Sequence, residues 1–440
     1  MERFVTRNLI KWKDSKSHLP LIVRGARQTG KTFTIEEFGK RYFSSLVTIN
    51  FEFEFSFSKC FTNLDPKIIV RELELLSGKQ IVPGKTLLFL DEIQECPRAI
   101  LSLRYFKEKM PKLHIICAGS LLEFTLNSKN FRMPVGRIEF LYMYPMSFSE
   151  FLMGLREQQL FEYLPEVKIG NISDAVHNKA LELFRIYIIT GGMPAVVKEY
   201  CENFSLLNIA RSQSIISNGY SNDFGKYGSK AEIQYLQKIY SQIGVLATRP
   251  IKYSKIDPDT QSRDLKKAID ILVMAGVFFK IHQNSGAGIP LQSEEKKKYK
   301  LLFLDTGLYL NKLNLDYKKL NIKKDINMIN RGTVAEHIVG QELLSLQESF
   351  KPGYLSYWQR EARNSSAEVD YLIQYGEKII PIEVKAGHTG RLKSLRIFMD
   401  EKNAPFGIRI SQSSLSFENR VLSIPFYLIS NINKYISELL

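Results

Sequence analysis

The sequence predicts an α/β protein in several units: a parallel sheet around a phosphate-binding loop, a helical segment and basic middle region, and a second α/β unit at the C-terminal end. Three observations lead there. An apolar strand, "LPLIV", runs into a glycine loop and then a helix. A second apolar strand, "TLLFL", ends in two acids, Asp91 and Glu92. Towards the C-terminus a helical pattern is followed by three strand-like stretches, the second and third carrying acids, and then by another helix. With 440 residues, 44% hydrophobic and 12% aromatic, the chain has material for roughly two to four packed domains.

The first element is the loop. "GARQTGKT" fits G-x-x-x-x-G-K-[ST] with Gly25, Gly30, Lys31 and Thr32 at the fixed positions, between a strand and a helix start. The backbone N–H groups of Gly25, Ala26, Arg27, Gln28, Thr29 and Gly30 are expected to wrap phosphates, helped by the dipole of the helix that follows. Lys31 is expected to reach the β and γ oxygens and Thr32 to offer its hydroxyl to Mg²⁺. ATP and Mg²⁺ are the cofactors this implies.

The second element supplies the chemistry. Ligands of open parallel sheets bind at the carboxyl ends of the strands, which is where Asp91 and Glu92 stand. Asp91 is expected to hold Mg²⁺ through water, and Glu92 to orient or deprotonate the attacking water. A third strand, "KLHIICAGS", places Ser120 at the tip of a neighbouring loop.

The middle is helical, then basic. Apolar residues recur at helical spacing in "ALELFRIYIIT" and "SLLNIARSQSII", within the segment 151–230. Three short helical patterns follow, the last being "SRDLKKAIDILVMAG", and then two strands, "VFFKIHQ" and "KKYKLLFLDTGL". Three helices and a hairpin are the plan of a winged helix, with Arg263, Lys266 and Lys267 near the start of its last helix and "EEKKKYK" in the wing. Residues 211–320 hold 18 Lys/Arg against 10 Asp/Glu, about half of the chain's net charge of +15. Such a segment suits a polyanion such as DNA, although winged helices also serve as protein interfaces.

Composition narrows the setting. Cys60, Cys96, Cys117 and Cys201 are scattered without metal spacing and read as reduced thiols. No uncharged apolar run approaches a membrane span, so no membrane partner is expected and the location is read as cytoplasmic.

The last element is "KIIPIEVKAG", a strand that carries Glu383 and Lys385 on one side of its pleat. Before it stand "RGTVAEHIVGQELLSL", a helix pattern containing Glu336, and the strand-like "GYLSYWQR" and "AEVDYLIQYG", the latter with Glu368 and Asp370. The pattern "RLKSLRIFMDE" closes the set.

The order of "GARQTGKT", "LLFLDEIQ", "ICAGSLLEF", "GRIEFLYMYPMSFSEF", "GGMPAVV", "FLDTGL", "EVDYLI" and "PIEVKAG" resembles the AAA+ ATPases. More narrowly it resembles an archaeal-type prokaryotic group in which a P-loop ATPase is joined to a winged-helix-like region and a PD-(D/E)xK nuclease-like tail. The resemblance implies an AAA+ core at 1–150, a helical lid at 151–230, a winged-helix-like domain at 231–320 and a nuclease-like domain at 321–440. It casts Ser120 as a sensor of the γ-phosphate and Arg137 as an arginine reaching a phosphate in its own subunit or in a neighbour of a homo-oligomer. It places Pro194 by the adenine. In the tail it makes Asp370 and Glu383 metal ligands, Lys385 the partner of the attacking water and Glu336 an auxiliary acid. Two functions stay open: an ATPase coupled to DNA binding and metal-dependent cleavage, and a nucleotide-controlled switch with a non-cleaving tail.

Overall fold

The computed structural model describes residues 3–126, 136–227, 230–293, 298–314, 332–360, 367–387 and 391–440. Five strands form the first sheet: β1 (Leu21–Arg24), β2 (Ser45–Asn50), β3 (Thr86–Asp91), β4 (His114–Ala118) and β5 (Glu139–Tyr142). All are parallel, in the order β2-β3-β4-β1-β5. Strands β3 and β4 are buried along their whole length, which is why they read as unbroken apolar runs.

Alternation along the strands assigns each residue to a face. Ile22, Leu88, Leu90, Ile115 and Cys117 pack against one layer, with Ile69, Leu73, Ala99 and Leu103 of the helices Pro66–Ser77 and Pro97–Lys109. Leu21, Val23, Leu87, Phe89 and Ile116 point the other way, onto Ile35 and Phe38 of the helix Lys31–Tyr42 and Leu9 and Trp12 of Val5–Asp14. The result is an α/β/α layering in which the loops at the carboxyl ends of the strands are left to form a site.

A helical body follows, built from Asp174–Thr190, Pro194–Asn203 and Leu206–Asp223. It is entered through Ser147, whose side chain caps the helix Phe148–Gly154 in a reciprocal box with Glu150. Pro194 occupies the first turn of its own helix, where a missing N–H costs nothing. The helices Lys230–Ser241, Tyr253–Ile256 and Ser262–Met274 then lead into the hairpin β6 (Phe278–Asn284) and β7 (Tyr299–Phe303). Part of the expected wing, residues 294–297, lies outside the described residues.

The second sheet has eight strands. To β6 and β7 it adds β8 (Leu355–Gln359), β9 (Glu368–Tyr375), β10 (Lys378–Val384), β11 (Gly407–Ser411), β12 (Ser416–Glu418) and β13 (Val421–Pro425). The order is β12-β13-β11-β10-β9-β8-β6-β7, and the pairing of β6 with β8 is parallel, from Ile281 opposite Leu355 to Asn284 opposite Trp358. One sheet therefore spans the expected boundary at 320/321. The helix Gly332–Ser345 lies buried against this sheet, with His337, Gln341 and Glu342 as well as its apolar residues out of solvent. It is covered on all sides, so its sequence shows little amphipathic pattern. Among the described residues no helix is long and apolar enough to cross a membrane, and all four cysteines are free thiols.

Candidate functional site

The glycine loop is shaped by its glycines. Gly25 has φ 151° and a Cβ there would lie 2.3 Å from the Met143 carbonyl oxygen, so the chain leaving β5 passes too close for any side chain. Lys31 opens the helix Lys31–Tyr42, and its ammonium donates to the Gly25 and Ala26 carbonyls at 2.8 Å each. Burial pushes its pKa down to about 8 against the pull of Glu92 and Asp91. The Thr32 hydroxyl donates to Asp91 Oδ2 at 3.0 Å, and Asn50 Nδ2 to the same oxygen at 3.3 Å. Burial, with Glu92 beside it, pushes the Asp91 carboxyl up to about 6. A hydroxyl and a carboxylate in contact at the end of a phosphate loop are a donor set suited to hard Mg²⁺.

Glu92 follows Asp91 with a left-handed backbone, φ 48°, an unfavourable conformation for a glutamate. Its Oε2 accepts from Gln94 Nε2 at 2.7 Å and from the Ser120 backbone N–H at 3.3 Å. The structure thus brings the ends of β1, β3 and β4 together, with Lys31, Thr32, Asp91, Glu92 and Ser120 in one place. Gln94 was not anticipated, since a lone glutamine after two acids carries no spacing signal.

A second cluster sits on the larger sheet. Asp370 lies on β9, and its Oδ2 accepts the Val384 N–H at 2.8 Å. Glu383 lies on β10, with Lys385 Nζ donating to its Oε1 at 2.6 Å. Burial pushes the Glu383 carboxyl up to about 7, with Asp370 adding to it. Glu336, on the helix Gly332–Ser345, and Glu368, on β9, both meet Lys300 Nζ at 2.8 Å. Lys300 belongs to the stretch "EEKKKYK" expected in the wing, yet its side chain is 0% exposed. This corrects the reading of that stretch: β7 carries Lys300 under the sheet's covering helix, whereas Lys298 is exposed. Burial disfavours its charge, but Glu336, Glu368 and Asp370 outweigh burial and hold its pKa above the ordinary value. Among the described residues no three or more His, Cys, Asp or Glu are grouped to hold a metal ion.

Residues 17–152 match the family described as AAA domain. That match covers the N-terminal sheet and the phosphate loop. Residues 181–319 and 331–428 match two further families, each described as a domain of unknown function. No curated protein matches the chain. Among solved structures the chain is similar to the Walker-type ATPase PABY2304 of Pyrococcus abyssi, at 16% identity over 70% of this chain and 94% of that one, with a TM-score of 0.43. It is also similar to the Aeropyrum pernix ORC1 protein in complex with DNA, at 14% identity over 70% of this chain and 90% of that one, TM-score 0.30. The Thermotoga maritima RuvB Holliday junction branch migration motor gives 11% identity over 64% and 90%, TM-score 0.31.

The phosphate loop is gripped by residues outside it. Tyr220 Oη donates to the Arg27 carbonyl at 2.6 Å, and the Arg27 guanidinium pairs with Asp223 at the end of the same helix, Leu206–Asp223. Gly276, which follows the helix Ser262–Met274, lies against Ala26, a Cβ there being 3.1 Å from that of Ala26. Arg3 donates to the Thr29 carbonyl at 2.8 Å while pairing with buried Glu150 at 2.9 Å. None of these partners could be named in advance, because each acts through a contact more than twenty residues away.

Beside the loop is a cavity of about 720 Å³, lined by Gly30, Phe33, Thr34, Met146, Pro194 and Lys198 among others. That volume lies in the range of small-molecule sites. Pro194 Cγ comes within 3.3 Å of where a Cβ on Gly30 would stand, so the proline is at the edge of the glycine loop. A second cavity, of about 460 Å³, opens on the other side of Gly25 and Ala26, towards Tyr144 and Lys280. Arg137 is not brought to the loop of its own chain: half exposed, it pairs with Glu108 at 3.4 Å.

Proposed function

We propose that the protein is an ATP hydrolase whose nucleotide state is passed to a basic, DNA-docking middle region and tail. The observation that carries this is the convergence of Lys31, Thr32, Asp91 and Glu92 at the ends of β1 and β3, with the loop held from outside by Tyr220, Asp223 and Gly276. Bound ATP with Mg²⁺ supplies the reactive γ-phosphoryl group and the charge-neutralising cation.

The chain's own residues do the rest. The Lys31 ammonium, now on loop carbonyls, turns to phosphate oxygens and is held charged there by their negative charge. Thr32 and Asp91 would hold the ion, directly and through water. Glu92 orients the attacking water and takes its proton, once released from Gln94 and the Ser120 N–H. Phosphates drawing on the loop also draw on Arg27 and Ala26, and so on the helix bearing Tyr220 and on Gly276. That is a route from nucleotide to the middle region. The DNA assignment is supported by the net charge of +15 and by the exposed Arg263 and Lys266 on the helix Ser262–Met274.

The test is hydrolysis and binding with purified protein. Wild type should hydrolyse ATP with Mg²⁺, Lys31→Ala should lose binding, and Glu92→Gln should bind ATP but hydrolyse it about 100-fold or more slowly. Equal ATP affinity in Lys31→Ala would overturn the reading. DNA binding should weaken steeply with salt and differ between the ATP and nucleotide-free forms; a salt-independent interaction would remove nucleic acid from the proposal.

A further inference from the structure

The tail has the acids that a metal-dependent nuclease needs, but it also has a cation of its own. Glu336, Glu368, Asp370 and Glu383 come from one helix and two strands. A hard divalent ion in such a site is held by several oxygens of these groups at once. In this protein one oxygen of each acid faces a lysine or a backbone N–H. Lys300 Nζ lies 2.8 Å from both Glu336 Oε1 and Glu368 Oε1, and its side chain is 0% exposed. It also stands over the Tyr357 ring, 4.8 Å from the centroid. Asp370 Oδ2 is taken by the Val384 N–H, and Glu383 Oε1 by Lys385. Glu383 Oε2 is buried without a partner.

An ammonium is a compact point charge with three donors, able to bridge two carboxylates as a metal ion would. It reaches the cluster from β7, outside the stretch that supplies the acids. A fully buried stem has no route to solvent, so a divalent ion among Glu336, Asp370 and Glu383 would be placed against a fixed positive charge. The residues as they stand do not fit one.

We propose that Lys300 is the resident cation of this cluster, so that the tail takes no divalent metal and serves as a docking scaffold rather than a metal-dependent nuclease. A second consequence follows. Lys300 ties β7 to the helix Gly332–Ser345 and to β9, fastening the middle region to the tail with the charge that a metal would have supplied.

This stands apart from the ATPase reading and is tested without nucleotide. The measurement is Mn²⁺ titration of the full chain followed by electron paramagnetic resonance, comparing wild type, Asp370→Asn, Lys300→Met and Lys300→Gln. Wild type and Asp370→Asn should titrate alike. Lys300→Met should gain an Mn²⁺ site at least about tenfold tighter than any in wild type, removed again by adding Asp370→Asn. Lys300→Gln keeps hydrogen bonds without charge and provides the same test if the methionine variant does not fold. A wild-type Mn²⁺ site that Asp370→Asn abolishes would overturn the proposal, whatever the variants do. So would a folded Lys300→Met or Lys300→Gln that binds no more Mn²⁺ than wild type.

Discussion

The Gly192 N–H donates to Asp305 Oδ2 at 2.6 Å, joining the turn that precedes the Pro194 helix to the residue after β7 and Leu304. Met146 closes the third side, its N–H donating to the Gly192 carbonyl at 2.6 Å. Three separate stretches, "YPMSF", "GGMP" and "FLDTG", thus meet at one buried knot beside the cavity that Pro194 lines. A Cβ on Gly192 would lie 2.1 Å from the Met146 carbonyl oxygen, which is backbone and cannot turn aside. Gly192→Ala should therefore cost about 1–3 kcal/mol and, by shifting Pro194, weaken ATP binding. Urea unfolding and nucleotide titration check this; an unchanged midpoint would mean the knot yields more easily than its geometry implies.

Arg3 and Glu150 form a buried pair, with side chains 7% and 6% exposed. Removing the arginine leaves a buried carboxylate without its cation and takes a donor from the Thr29 carbonyl of the phosphate loop. Arg3→Ala should destabilise the fold by about 3–5 kcal/mol, and Arg3→Ala with Glu150→Gln by less. The double variant separates the charge effect from lost packing: if it is as unstable as the single one, packing is the cause.

What was legible in the sequence divides along the same line. The strand, loop and helix around Lys31 could be read because glycine spacing and apolar runs are local signals, and the structure places Asp91, Glu92 and Ser120 beside them. The strands of the tail were readable as short strand-like stretches carrying acids. Lys300 was not: four lysines in five residues look solvated, and only pairing of β6 with β8 brings the last of them under the helix Gly332–Ser345. Arg3, Tyr220 and Asp223 were missed for the same reason, since a polar residue that meets its partner through tertiary structure leaves no mark on spacing.

Glu342 gives a pH dependence with a definite sign. Burial pushes its carboxyl from an ordinary 4.5 up to about 7, while it accepts from the Phe148 N–H at 3.0 Å and the Tyr187 hydroxyl at 2.7 Å. The folded state keeps a proton that the unfolded chain has lost, so this contribution to stability is complete below pH 4.5 and disappears as pH rises through 7. Glu342→Gln, neutral at every pH and still an acceptor, should flatten that fall and be more stable than wild type at pH near 8, by up to about 3 kcal/mol. Denaturant midpoints of both proteins across this range decide it; parallel curves would show that Glu342 is ionised throughout.

Arg137 makes the last prediction. In its own chain it pairs with Glu108 at the protein surface and does not approach Lys31 or Glu92. An exposed pair of this kind contributes little to stability, so Arg137→Ala should leave folding and ATP binding close to wild type. If a second copy receives this arginine at its phosphate loop, the group neutralises charge on the transferred phosphoryl and hydrolysis depends on assembly. The rate per subunit should then rise with protein concentration, and Arg137→Ala should lower the high-concentration rate by about 10³-fold or more. Mixing Arg137→Ala with Glu92→Gln should restore hydrolysis, because the first brings an intact Glu92 and the second an intact arginine to a shared interface. A rate independent of concentration, with no recovery on mixing, would leave Arg137 as the surface partner of Glu108 and nothing more.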